Sequence, residues 1–235
     1  MMDKYIRKAR VYPAIIGLVP ISILLAMCMN LWFPHCQVAV GNVKWLISLT
    51  IGSAVVVAAV GFFIRDVFRE TAKILFETRV FKEDKSEMPT TKLLLWKNKH
   101  YSKEVHDNIS AKVKEVLDLH LPSEEEELQD LDEAKRTIVH VVDLMLADTR
   151  GDMVLRQYNI EYGFCRNYLG ACVWSLGLIV LFGGINIFFN WLPCYDIVIA
   201  FVLQLGAMGI IYLFLERRGW AFARVLIRTF MNKHK

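Results

Sequence analysis

The sequence predicts an all-α membrane protein: four transmembrane helices in two hairpins, with a mainly helical cytoplasmic domain inserted between them. Three observations lead there. The 235 residues are 55% hydrophobic, above the roughly 45–50% of a soluble domain. Four stretches carry no Asp, Glu, Lys or Arg at all: 11–33, 45–64, 167–195 and 197–215. The charge is concentrated elsewhere, since residues 65–166 hold 17 basic and 21 acidic side chains. That pattern excludes a disordered chain, a nucleic-acid-coating basic domain and a disulfide-dense secreted module. Its organisation reads as a first hairpin over 1–64, a cytoplasmic helical domain with a stalk over 65–166, a second hairpin over 167–215 and a basic amphipathic tail over 216–235.

The first apolar run is longer than the 7–15 residues of a signal-peptide core, and a second run follows closely, so it reads as a retained span. About 20 apolar residues cross the bilayer as a helix, because every backbone polar group must bond within the segment. The run over 167–195 exceeds this and includes an interfacial lead-in and a turn. Lys4, Arg7, Lys8 and Arg10 precede span 1, and Arg65, Arg69 and Lys73 follow span 2. Arg150, Arg156 and Arg166 approach span 3, and Arg217, Arg218, Arg224, Arg228, Lys233 and Lys235 follow span 4. The two short turns, 34–44 and 190–196, share only Lys44. The excess of cations predicts that both termini and the middle domain face the cytoplasm.

Cys36 and Cys194 are the two cysteines in the outer turns. They admit two readings, a bridge between the hairpins or two unpaired residues near the membrane surface. Gly163, Gly170, Gly177 and Gly184 recur at seven-residue intervals. Such a stripe lets another helix approach closely, within one chain or between copies. Polar residues in the spans are uncharged, among them Ser53, Asn186 and Gln204. An ion-coupled transporter needs an ionisable group there. These residues suit either a pore with a hydrophobic constriction or bonds between helices.

Span 2 is expected to continue through 65–79 as a stalk with Val67, Phe68, Ile74 and Leu75 in one stripe. Pro89-Thr90-Thr91 ends it, and Leu93-Leu94-Leu95-Trp96 reads as a short buried strand or a turn of helix. A helix over 102–119 follows from Val105, Ile109, Val113 and Val116/Leu117. Ser123 and Glu126 form a capping box that opens a helix running to about Arg150-Gly151. The run Glu124–Glu127 is therefore helix chemistry rather than a metal site. Lys97, Lys99, Lys103, Arg150 and Arg156 are cytoplasmic cations outside the span-flanking belts, and they form the candidate site for a phosphate-bearing nucleotide or oligonucleotide. Glu161 and Arg166, in the aromatic stretch before span 3, form a candidate gating elbow.

Catalytic signatures such as GxSxG, HExxH, a Walker loop or GxGxxG are absent from the sequence. No enzyme activity, cofactor or metal is expected. Two phrases, Pro89-Thr90-Thr91-Lys92-Leu93-Leu94 and Asn159-Ile160-Glu161-Tyr162-Gly163-Phe164-Cys165-Arg166-Asn167, together with the layout of hairpin, helical insert, hairpin and basic tail, carry a resemblance. The chain resembles the four-span membrane effectors of bacterial antiphage defence systems, chiefly Hailong-type effector channels. The resemblance extends more loosely to CBASS-type effectors and the Kiwa membrane component. It implies a homo-oligomeric channel of the bacterial inner membrane, most simply a homotetramer, that depolarises the cell in abortive infection. It also implies a nucleotidyltransferase partner whose oligonucleotide product keeps the channel closed. A non-conducting scaffold that recruits a cytoplasmic protein through 65–166 is the competing expectation.

Overall fold

Where the chain lacks charges it also lacks the Gly-Pro and Asn-Gly signals that stop a helix, and long helices result. The computed structural model describes residues 4–32, 61–77, 79 and 85–234. Every regular element among the described residues is helical, and none is a strand. In chain order they are α1 (Lys4–Gly17), α2 (Val19–Trp32), α3 (61–77), α4 (Pro89–Leu94), α5 (Lys103–Leu117), α6 (Glu124–Gln129), α7 (Leu131–Asp148), α8 (Met153–Phe189) and α9 (Cys194–Lys233). Helices α8 and α9 are long and apolar enough to cross a membrane; α1 and α2, bent by 41° between them, make a third candidate if taken as one span. The expected second span lies outside the described residues apart from 61–64, and so do Ser53 and Cys36. Two units result, one from Met1–Lys73 and Phe164–Tyr212, the other from Ile74–Gly163 and Leu213–Lys235.

The first unit is organised by two prolines. Pro13 has no N–H for the carbonyl of Ala9, one turn earlier. The backbone there widens into a π-helical turn over Arg7–Val11, and the buried Asn167 of α8 donates to the Ala9 carbonyl at 2.6 Å. Pro20 removes a second donor, and the helix breaks at Leu18. There Gln204 of α9, 1% exposed, donates to the Gly17 carbonyl at 3.0 Å. Asn167 supplies the donor that Pro13 withholds from Ala9, and Gln204 adds one at the break between α1 and α2, as an apolar surrounding requires. Gly17 also allows close approach, because a Cβ there would sit 2.5 Å from that of Ala171. Ile21, Leu24, Cys28, Ile179, Phe182 and Leu192 form this unit's buried cluster. Phe63, Ile187, Phe188, Ile199 and Leu203 are exposed, a surface suited to lipid.

The second unit has its own core, in which Ile109, Val113, Ile138, Met145, Leu226 and Phe230 are fully buried. Ser102 caps α5 by accepting from the Val105 N–H, and the Ser123/Glu126 capping box forms as expected. Two expectations change. The helix opened by Ser123 does not run unbroken to Arg150. Asp130 takes an extended conformation, φ −144°, and its carboxylate accepts from the N–H groups of Asp132 and Glu133, so it starts a new helix. Aspartate competes with the backbone for those donors, which favours a cap over a helix interior. Of the two readings of Leu93–Trp96, the turn of helix is the one that forms, because Pro89 sits in the first turn of α4 with its φ already set. The stalk stripe divides. A π-helical turn over Lys73–Glu77 inserts an extra residue, and Ile74 becomes exposed while Phe68 is buried.

The residues taken as a separate basic tail are the last turns of α9. Ala223, Val225, Leu226, Ile227 and Phe230 are core, and the cations occupy the opposite face. Lys233 and His234 close that end on the Asp148 carboxylate at 2.6 and 2.8 Å.

Candidate functional site

Short helix α4 exists because Met88 is extended and Pro89 preorganises the first turn. Its arrival is held by the buried Thr91, whose hydroxyl donates to the Lys85 carbonyl at 2.9 Å. Glu87 ties the same loop down by accepting from Lys135 of α7 at 2.5 Å and pairing with Lys92 at 3.2 Å. The hydrogen bond from Lys135 is the main cause that keeps the Glu87 carboxyl below the ordinary carboxylate range; burial opposes it.

Between α4, α7, α8 and α9 these anchors leave a cavity of about 170 Å³. Met88, Pro89, Val139, Val142, Leu146 and Phe222 give it apolar walls, with Thr90, Tyr162 and Gly219 beside them. Lys85 and Asp143 also line it, paired at 2.7 Å and both exposed. Such a pair contributes under about 1 kcal/mol. The Tyr162 hydroxyl donates to Glu77 at 2.7 Å. The cavity therefore brings together Pro89-Thr90-Thr91 and Tyr162, one from each of the two phrases marked in the sequence.

Close to it, Glu161 pairs with Arg218 of α9 and accepts from Gln157. The sequence suggested Arg166 as the partner of Glu161. Five residues of helix turn through about 140° beyond a full turn, so the two side chains leave α8 in different directions. The partner that the fold supplies comes from α9.

The proposed phosphate-site cations are all exposed. Lys97 lies on the 3₁₀ turn Trp96–Asn98, Lys99 follows it in the left-handed region at φ 49°, and Lys103 opens α5. Arg150 sits in the turn after α7, and Arg156 lies on the first turns of α8. None of the five lines the apolar cavity, the acidic hollow between His120 and Thr137, or the open groove at Asp148, Asp152 and Arg228. The Lys97 turn has an anchor that sequence reasoning missed. The buried Glu127 accepts from the backbone N–H groups of Trp96 and Lys97 at 2.8 and 2.9 Å. Its place at the end of four glutamates concealed this role.

The span residues also acquire partners. Asn186 folds back on the turn between α8 and α9, donating to the Leu192 carbonyl and accepting its N–H, both at 2.8 Å. A Cβ on Gly170 would collide with the Phe68 carbonyl oxygen and lie 2.8 Å from its carbon, so α3 and α8 touch backbone to backbone there. Gly177 and Gly184 meet no described residue within 4 Å of such a Cβ. Cys194 is exposed at the start of α9. No family model, curated protein or solved structure matches the chain.

Proposed function

We propose that the chain is a multi-pass protein of the bacterial inner membrane, with four spans in two hairpins and both termini cytoplasmic. In this reading it is a homo-oligomeric channel, regulated by a ligand or a partner, that depolarises the membrane in antiphage defence. The observation that carries the reading is the length of α8 and α9, 37 and 40 residues, where about 20 cross a bilayer. Each helix enters the second unit, where both line the cavity. A change in packing there acts on helices that also serve as spans, and two packings a few kcal/mol apart make a switch. The oligomer is supported by Gly177, Gly184, Gly206 and Gly209, which meet nothing within 4 Å among the described residues, and by α9, of whose apolar window only 6% is buried. The regulator is an oligonucleotide made by a partner nucleotidyltransferase, held by the exposed cations.

One observation favours the non-conducting scaffold. Of the two uses open to Asn186 and Gln204, a pore lining or bonds between elements, both side chains take the second, engaged within the chain. Inner-membrane potential, followed with a voltage-sensitive dye during expression without a partner, separates the two readings. Depolarisation, together with ion flux from liposomes holding the purified chain, supports the channel. An unchanged potential at equal membrane abundance, with and without the nucleotidyltransferase, replaces it with the scaffold.

A further inference from the structure

We propose that the cavity between α4, α7, α8 and α9 binds a single hydrocarbon chain whose polar end rests beside Lys85 and Asp143. This does not depend on the channel reading. The volume, about 170 Å³, is a little more than the roughly 150 Å³ that admits a benzene molecule, so about six to eight carbons fit. Val139, Val142 and Leu146 follow one face of α7 over seven residues, or about 10 Å of helix axis.

The walls exclude a phosphate or a sugar from the inner end. Thr91 directs its hydroxyl to the Lys85 carbonyl and Tyr162 directs its own to Glu77. A polar group pushed in among Val142, Leu146 and Phe222 would lose water and gain no partner. The edge is different. Lys85 and Asp143 are solvent-exposed and only weakly held to each other, so they tolerate a hydroxyl, carboxylate or phosphate there.

A source of chains is close along both helices. Tyr162 precedes the charge-free run of α8 by five residues, and Gly219 follows that of α9 by four, each within about 8 Å of helix. The chain can be a phospholipid tail or a free amphiphile. An occupant presses on the Tyr162 ring, and through its hydroxyl on Glu77, so occupancy is felt at the end of α3.

The test uses the full-length protein in nanodiscs and two photoreactive probes. One is octanol carrying a diazirine at its far end, and the other is a phospholipid with a diazirine at the end of one acyl chain. Irradiation and peptide mapping should place label within 88–91, 139–146 or 219–222. That label should fall several-fold in Val139→Trp, which fills the slot from a half-exposed wall position; Thr90→Phe, on α4, serves if the first variant melts earlier than wild type. Label from octanol alone identifies a free amphiphile as the occupant, and label from the phospholipid identifies a lipid tail. Label confined to the charge-free runs, or cavity label undiminished in a folded filling variant, overturns the proposal.

Discussion

At the residue scale, chemistry is decided by what burial leaves each polar group to bond with. His106 is 3% exposed, stacked on Trp96 with centroids 4.1 Å apart, and burial lowers its pKa against the opposing pull of Glu127 and Asp107. The unfolded chain takes up a proton below about pH 6.5, whereas the folded one resists it. Stability is therefore fully present above that pH and falls as the pH drops below it. His106→Phe keeps the stack and removes the proton site. Its melting temperature should differ less than that of wild type between about pH 7.5 and 5.5; an equal difference would assign the pH effect elsewhere. Asn167 gives a second residue-scale expectation. Asn167→Leu leaves the Ala9 carbonyl without its donor and should cost about 1–2 kcal/mol. Pro13→Ala restores a backbone N–H for the same carbonyl, so the double variant should unfold later than Asn167→Leu alone. Strictly additive effects in that cycle would disprove the compensation.

At the scale of elements, the seven-residue glycine interval turns out to serve two environments. Gly170 meets the backbone of α3, and among the described residues Gly177 and Gly184 meet nothing within 4 Å. Gly170→Leu should therefore reduce membrane abundance by forcing α3 from α8. Gly177→Leu should leave abundance and melting unchanged while moving cross-linked species toward monomer. If both variants keep the cross-linking pattern, the open glycines face lipid. A helix start is legible because a cap acts within one turn: Ser123 and Glu126 do what their spacing indicates. The break at Asp130 was not, since a lone aspartate in an apolar-periodic run reads equally as a surface residue and a cap.

At the scale of the whole molecule, the unit boundaries assign the C-terminal turns of α9 to the helical core. Truncation after Arg218 removes Phe230 and Leu226, both fully buried, and should open residues 85–163 to limited proteolysis; a dispensable tail would leave the digestion pattern intact. The proposed topology places 34–44 outside and 65–166 inside. Alkaline phosphatase fused after Gly41 should be active and fused after Glu87 inactive, and the reverse result would invert the orientation.

What the sequence determines alone is whatever is decided within a turn or two of helix: helicity, the charge-free runs, the caps and the segregation of charge. These depend on neighbours three or four residues away. The Glu161–Arg218 pair and the bonds of Asn167 and Gln204 to backbone carbonyls join positions 57 to 187 residues apart, and the cavity joins four helices. Many partners of the right chemistry exist for each in the sequence, and only the packing of α4, α7, α8 and α9 in one unit, and of α1, α2, α8 and α9 in the other, selects among them. Glu161 shows why: Arg166 stands five residues on in the sequence, but helix geometry turns it away, and the fold delivers Arg218.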